Sequence, residues 1–328
     1  MKKISRRTLI KATGSLAALS VLPRSAHAAY PERPVRLIVP FAPGGNADLM
    51  GRLVGEGMSQ ALGQPVVVEN RAGAGGSVGA AEVARAAPDG YTLFVGSNGP
   101  LTVNPFVQPK LAYDPLKDFA AIGLTSLVAH ALIVNAGVPA KTLPELIALS
   151  KKQQVGIGTA GVGSATHLTL ARFNAQTGAK LVHVPYKGGG ALLPDLVSGT
   201  IQGAMTEYSS ALPHHRSGKA RFVAVASARR PAQTPDVPTM SESGVNGFLA
   251  ASYIGILAPA GTPAGVLSRL EAALGAALKA PKTLQRMGEL GVEVASAEER
   301  TAAGFAAFIR KDYENSREAA RLANLKRE

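Results

Sequence analysis

The sequence predicts an α/β protein with parallel sheets, on three observations. Apolar runs of strand length alternate with segments whose apolar residues recur at helical spacing. Glycine-rich loops follow several of those runs directly. No block of about 20 to 50 residues recurs, so what repeats is the strand–loop–helix unit itself.

The first unit sets the plan. The apolar run Val35 to Val39 ends at Pro40, and the loop Phe41-Ala42-Pro43-Gly44-Gly45-Asn46 follows. Leu49, Met50, Leu53, Val54 and Met58 then trace a helix that Gly63 closes. Gly44 and Gly45 let the backbone come close to a ligand, and the amides opening the helix have no acceptor within it. Such a turn reads either as an anion site or as a plain βα connection.

The remaining elements follow in order. Residues 66–68 form a short buried strand running into Glu69-Asn70-Arg71 and a second glycine loop at 73–79. A helix over 79–87 stops at the turn Pro88-Asp89-Gly90, and 91–95 is the next strand, ending in Gly96-Ser97-Asn98-Gly99. Residues 101–119 read as irregular connection. The pattern restarts with a strand at 131–135, then a helix to Ser150 opened by a Thr142/Glu145 capping box. A strand at 155–158, a polar glycine loop and a helix ending at Gly178 come next. Strands at 181–184, 201–205 and 221–226, with a short helix to Ser198, complete that stretch. Residues 229–247 form a long surface connection before a strand at 252–258. Helices then run to about Lys279 and Leu290, and residues 292–295 form a short strand. Ser296 and Glu299 make a second capping box ahead of a last helix towards Leu325.

The N-terminus belongs to neither domain. Residues 1–28 combine a basic start, a mildly apolar run and an Ala26-His27-Ala28 cleavage site, which is a secretory signal peptide too short to span a membrane. Ser5-Arg6-Arg7-Thr8-Leu9-Ile10-Lys11 within it resembles the twin-arginine export signal. The chain has 328 residues, room for two domains, and a formal charge of +13. Lys2, Lys3, Arg6, Arg7, Lys11 and Arg24 lie in the signal with no acid beside them, so the remainder carries +7. That modest excess draws small anions. Without a basic stripe interleaved with aromatics it points away from nucleic acid. The lack of cysteine excludes disulfides, thiol nucleophiles, thiolate metal sites and a lipidated cysteine after the signal.

Catalytic signatures are missing. Gly156-Ile157-Gly158-Thr159-Ala160-Gly161 fits G-x-G-x-x-G in letters only, because its glycines start inside a strand. There is no Walker motif or H-E-x-x-H. His130, His167, His183, His214 and His215 have no metal-like partner at i+4. His167 can touch a ligand or serve as a cap. Asp48 can orient a ligand or answer the helix dipole, and Lys187 can pair with an anion or sit solvated. The stronger signal is collective. Loops at 41–46, 96–98, 158–166 and 185–190 all follow strand carboxyl ends, the edge where open parallel sheets bind ligands. Amide- and hydroxyl-rich loops meeting there suit a carboxylate bound without turnover.

A family likeness rests on those loops. Val39-Pro-Phe-Ala-Pro-Gly-Gly-x-x-Asp48, Val68-Glu-Asn-Arg-x-Gly-Ala-Gly-Gly76 and Pro88-Asp-Gly-Tyr-Thr-Leu93 resemble the Bordetella uptake gene (Bug) family, the periplasmic receptors of tripartite tricarboxylate transporters. So do Gly161-x-Gly-Ser-x-x-His-Leu168, His183-Val-Pro-Tyr-Lys-Gly188, Pro235-Asp-Val-Pro-Thr239 and Ala258-Pro-Ala-Gly-Thr-Pro263. The resemblance implies a periplasmic-binding-protein type II (Venus flytrap) fold of two α/β domains with two crossover connections. The first domain would be 29–128 plus 252–328 and the second 129–251. It implies a monomeric receptor that captures a small carboxylate and passes it to small and large membrane subunits, without cofactor, metal or catalytic residue. Presentation of ligand to a signalling partner and an exported enzyme on the same scaffold are the other readings.

Position by position, the resemblance places ligand contacts at Phe41, Ala42, Gly44, Gly45 and Asn46, with Asp48 nearby, and at Ser97 and Asn98. From the second domain it adds Gly163, Ser164, Thr166, His167 and Tyr186. Three positions depart from the family's usual pattern. Asn46-Ala47 stands where Thr or Ser is frequent, Thr206-Glu207 where an aromatic and a short polar or acidic residue are common, and Tyr253 where Trp is frequent. A Glu207 facing the cleft would disfavour an unpaired anion and favour an amino group on the ligand.

Overall fold

The protein is described from a computed structural model covering residues 30–323; the expected signal peptide lies outside the described residues. In chain order the elements are β1 (Val35–Val39), α1 (Asn46–Leu62), β2 (Val66–Asn70), α2 (Ser77–Ala84), β3 (Thr92–Gly96), α3 (Asn104–Val107) and β4 (Phe119–Asn135). Next come α4 (Leu143–Lys152), β5 (Val155–Thr159), α5 (Ala165–Thr177), β6 (Leu181–Pro185), α6 (Gly189–Ser198), β7 (Gly203–Glu207), α7 (Tyr208–Arg216) and β8 (Ala220–Val225). The chain closes with β9 (Ala251–Pro259), α8 (Ala264–Ala277), α9 (Pro281–Glu289), β10 (Glu293–Val294) and α10 (Ala302–Leu322).

The strands lie in the order β2-β1-β3-β9-β4-β7-β5-β6, with β8 and β10 also pairing β4. β1 runs parallel to β2 and β3, and β5 runs parallel to β6 and β7. β4 and β9 are antiparallel to their neighbours and join these two parallel groups. The buried runs are where the sequence puts them: Leu37, Ile38, Val39, Leu93, Phe94 and Val95 are fully enclosed between helices. β2 differs from expectation. It is an edge strand with Val67 45% exposed, because among the described residues β1 is its only strand neighbour.

β4 is the element that sequence reading shortened. Its final residues were legible, but the strand is 17 residues long. Residues 119–129 pair with β9, and 130–135 pair with β7 and β8. Register shifts between Ala121 and Gly123 and between Leu124 and Ser126 break the two-residue alternation that would have announced it. The expected irregular stretch after Gly99 begins with a wide turn, Gly99–Val103, and the short α3.

Helix ends were better signposted. Gly63 and Gly178 close α1 and α5 in the left-handed conformation, at φ 73° and 64°. The Thr142/Glu145 box is complete. The Ser296/Glu299 pair makes both of its reciprocal bonds, yet it closes a turn; Thr301 accepts from the Gly304 amide and caps α10. No helix among the described residues is long and apolar enough to cross a membrane.

Candidate functional site

Four helices begin at one place. Gly45, Ser164, Gly188 and Glu207 are the residues preceding α1, α5, α6 and α7, which run for 17, 13, 10 and 9 residues. Each helix follows the carboxyl end of a parallel-group strand, so the sheet order brings their N-termini together. Gly45, Asn46, Ser164, Ala165, Gly189 and Glu207 all line one cavity of about 20 Å³, completed by Phe41, Ala47, Ser97, Gly99, Ala160, Ser252 and Ile254. No lining residue is a cation. The positive potential comes from the helix ends, whose first amides point outward and sum with the peptide dipoles.

The walls meet closely. The Ala42 amide donates to the Lys187 carbonyl at 3.0 Å, and the Ser209 hydroxyl donates to Asn46 Oδ1 at 2.9 Å. A Cβ on Gly190 would lie 2.0 Å from the Pro43 carbonyl oxygen, so only glycine permits this approach. The enclosed space suits one water molecule, which needs about 10–15 Å³.

Two polar groups inside stand out. Ser97 is 5% exposed, and its hydroxyl has no hydrogen-bond partner among the described residues. Glu207 is half-buried, and among the described residues no cation contributes to its environment. Its Oε1 lies 3.0 Å from Ser252 Oγ, its Oε2 accepts from Thr206 Oγ1 at 3.4 Å, and burial pushes its carboxyl pKa up. Behind it, His130 Nε2 lies 2.8 Å from Ser252 Oγ, and His130 Nδ1 lies 2.8 Å from Thr169 Oγ1. Burial, with a smaller contribution from Arg172, lowers the His130 pKa to about 3, so the imidazole is neutral.

Of the residues singled out from sequence, Phe41, Gly45, Asn46, Ser97, Ser164 and Glu207 line the cavity. The others stand behind it. Ala42 and Gly44 lie on the same loop, but their amides are already used, Ala42 on Lys187 and Gly44 on Asp48. Asp48 is buried beneath that loop and also holds Asn70 and Arg52. Burial alone would raise its pKa; the bonds from Arg52, Gly44 and Asn70 outweigh that and hold it down. Asn98 faces away, accepting from the Tyr253 amide and donating towards Ala251 and Asp312. Gly163 packs on Asn104, and Thr166 accepts from the Ala160 amide. His167 stacks on His183 at 4.1 Å between centroids and accepts from the Gly163 amide. Tyr186 donates to Asp195 at 2.6 Å. Ser252 and Ile254 were missed because nothing local marks a strand residue as cavity wall, whereas Ala160 falls in the loop 158–166 without having been singled out. Gly189 had a signal, the triple glycine after β6.

A wider groove of about 920 Å³ lies by the β4–β9 crossing, and His130, Thr169, Arg172, Asn98 and Tyr253 are among its walls. Among the described residues no group of three or more His, Asp or Glu could hold a metal ion.

Comparison with known proteins agrees with this architecture. Residues 50–319 match the tripartite tricarboxylate transporter family receptor. Protein BugT of Bordetella pertussis is 36% identical over 80% of this chain and 81% of its own. The periplasmic binding protein BugD superposes with a TM-score of 0.88 at 35% identity, covering 91% of this chain and all of its own. MatC of Rhodopseudomonas palustris, solved with bound malate, gives 0.85 at 34% identity, covering 88% and 99%. The fold is that of periplasmic binding proteins, two α/β lobes, and these relatives are binding proteins rather than enzymes. The chain belongs to the tripartite tricarboxylate transporter receptor family, of which the Bug proteins are members.

Proposed function

We propose that this chain is an exported, monomeric periplasmic receptor that captures a small carboxylate and delivers it to the small and large membrane subunits of a tripartite tricarboxylate-type transporter. The observation that carries the reading is the convergence of four helix N-termini and the unpartnered Ser97 hydroxyl on a cavity without cations. Such a site offers hydrogen-bond donors and partial positive charge, which a carboxylate uses fully and a neutral solute does not. The malate held by MatC supports the same ligand class.

In this reading the lobes are 29–128 plus 252–328 and 129–251, hinged where β4 and β9 cross. A cavity of about 20 Å³ is smaller than any dicarboxylate, so entry requires the lobes to part. Phe41, Gly45, Asn46, Ser97, Ser164 and Glu207 meet the ligand. Ala42, Gly44, Asp48, Asn98, Gly163, Thr166, His167 and Tyr186 hold the loops that present them. Delivery without turnover is supported by the relatives, which are binding proteins.

A thermal-shift screen with mono-, di- and tricarboxylates, aromatic acids and amino acids tests the reading. A ligand at 100 times its Kd adds roughly 2.7 kcal/mol to native stability. For this size that raises Tm by a few degrees. Silence across the panel after unfolding and refolding to strip retained ligand would refute carboxylate capture. Recovery of a chemically altered acid would replace it with catalysis.

A further inference from the structure

We propose that Glu207 is a specificity-determining residue that meets the ligand carboxylate as a neutral acid, so that capture of the ionised ligand is linked to one proton held on this side chain. The inference rests on the carboxylate reading above and deepens it.

The hydrogen-bond chain behind Glu207 fixes where protons can sit. Thr169 Oγ1 lies 3.0 Å from the Ala165 carbonyl, and its single proton goes there. His130 Nδ1 must then donate to Thr169, leaving Nε2 of the neutral ring as an acceptor for the Ser252 hydroxyl. Ser252 has no second proton, so Glu207 Oε1, 3.0 Å away, must supply the one between them. Every group is satisfied when Glu207 is an acid. With Glu207 ionised, Ser252 donates to it, His130 donates from Nε2 and Thr169 turns to Nδ1, and the Thr169–Ala165 bond is lost.

Electrostatics leads to the same place. The helix ends can stabilise one negative charge in this small space. If Glu207 carried it, the ligand would arrive as a second anion within a few ångströms, in a cavity that water does not screen. Among the described residues no cation faces Glu207 to relieve that conflict. β4 presents neutral His130, and β9 presents Ser252. Gly189 of α6, Ser97 of β3's end, Asn46 of α1 and Ser164 before α5 carry no charge. Burial raises the Glu207 pKa accordingly.

The chain also gives the proton a path. Thr169 and His130 border the wide groove, while Ser252 and Glu207 border the cavity. From the ionised form, one proton entering from groove water at Thr169 Oγ1 moves each proton one place: Thr169 to His130 Nδ1, His130 Nε2 to Ser252, Ser252 to Glu207 Oε1. One proton is consumed, and Glu207 ends neutral.

Titration calorimetry with malate between about pH 6 and pH 9, where malate is ionised, decides it. Glu207→Gln, a permanently neutral donor, should bind within about threefold of wild type at the acid end and stay level. Wild-type affinity should fall below that of the variant as pH rises, approaching tenfold per unit once Glu207 ionises. Buffers of different ionisation enthalpy should report proton uptake on binding in that range, a readout that needs no variant. A wild type that stays level with Glu207→Gln to about pH 9, with no proton uptake, overturns the linkage. So does glutamate or aspartate binding that is lost in Glu207→Gln, which would assign an ionised Glu207 to a ligand ammonium. If no acid of the thermal-shift panel above binds either protein at any pH, the receptor reading itself has failed and the inference goes with it.

Discussion

His130 and Glu207 stand directly opposite each other on antiparallel strands β4 and β7, and Ser252 of β9 bridges their side chains at 2.8 and 3.0 Å. Burial lowers the pKa of His130 and raises that of Glu207, which makes folding stability depend on pH in opposite senses. His130 has a native pKa of about 3 against 6.5 unperturbed, so its contribution is full above 6.5 and is lost as pH falls. Glu207, raised above 4.5, contributes fully below 4.5 and loses it as pH climbs through its native value. With Glu207 held as the neutral acid proposed above, native and unfolded chains each bind one proton at this pair between 4.5 and 6.5, and the two dependences cancel.

The first prediction follows from that cancellation. In chemical denaturation between about pH 4.5 and 6.5, Glu207→Gln should make stability rise with pH relative to wild type. His130→Gln should make it fall. Each tilt should be roughly 1.4 kcal/mol per pH unit. His167, His214 and His215, whose pKa values burial also lowers, are common to all three proteins and drop out of the differences. Parallel profiles would show that the pair is not neutral.

Ser97→Ala separates ligand binding from folding. Removing a buried, unpaired hydroxyl should leave the ligand-free Tm unchanged or slightly higher. Affinity for the cognate carboxylate should drop about tenfold, equivalent to roughly 1.4 kcal/mol. Equal affinities by calorimetry would place the hydroxyl outside the ligand's reach.

Gly190→Ala probes closure. The added methyl carbon would fall 2.0 Å from the Pro43 carbonyl oxygen and 2.7 Å from the Gly45 amide nitrogen, both backbone atoms that cannot swing aside. The variant should fold with unchanged circular dichroism but remain open. Its radius of gyration by small-angle scattering should not shrink with ligand, and affinity should fall by about 100-fold or more, roughly 2.7 kcal/mol.

Asp48→Ala tests the support beneath the first loop. It strands the Gly44 amide, Asn70 and Arg52 together, and the loss should be about 1–3 kcal/mol of unfolding free energy. Asp48→Asn, which can still accept from Gly44, should cost less. Equal urea midpoints for wild type and Asp48→Ala would remove Asp48 from the loop's support.

Much of the architecture was legible because its signals are local. Gly63 and Gly178 stop helices by adopting φ values that other residues avoid, and the Thr142/Glu145 box closes within one turn. Local signals also misled. The Ser296/Glu299 box looked like a helix start and is a turn, because bonds three residues apart do not reveal whether the next turn continues. β4 escaped notice along its first two-thirds, since its register shifts erase the alternation that sequence can display.

By itself the sequence determined the strand–loop–helix alternation, the position of the glycine loops and hence the edge at which a ligand would sit. Tertiary structure decided which of those loop residues face the cavity. Asn98 and Ser97 are adjacent in sequence, yet Ser97 lines the cavity and Asn98 lines the groove, where it holds the Tyr253 amide. The Glu207 site is the clearest case, for its partners Ser252 and His130 lie 45 and 77 residues away. A side chain's charge depends on the dielectric and the donors around it, and those are set by strands that meet only after folding.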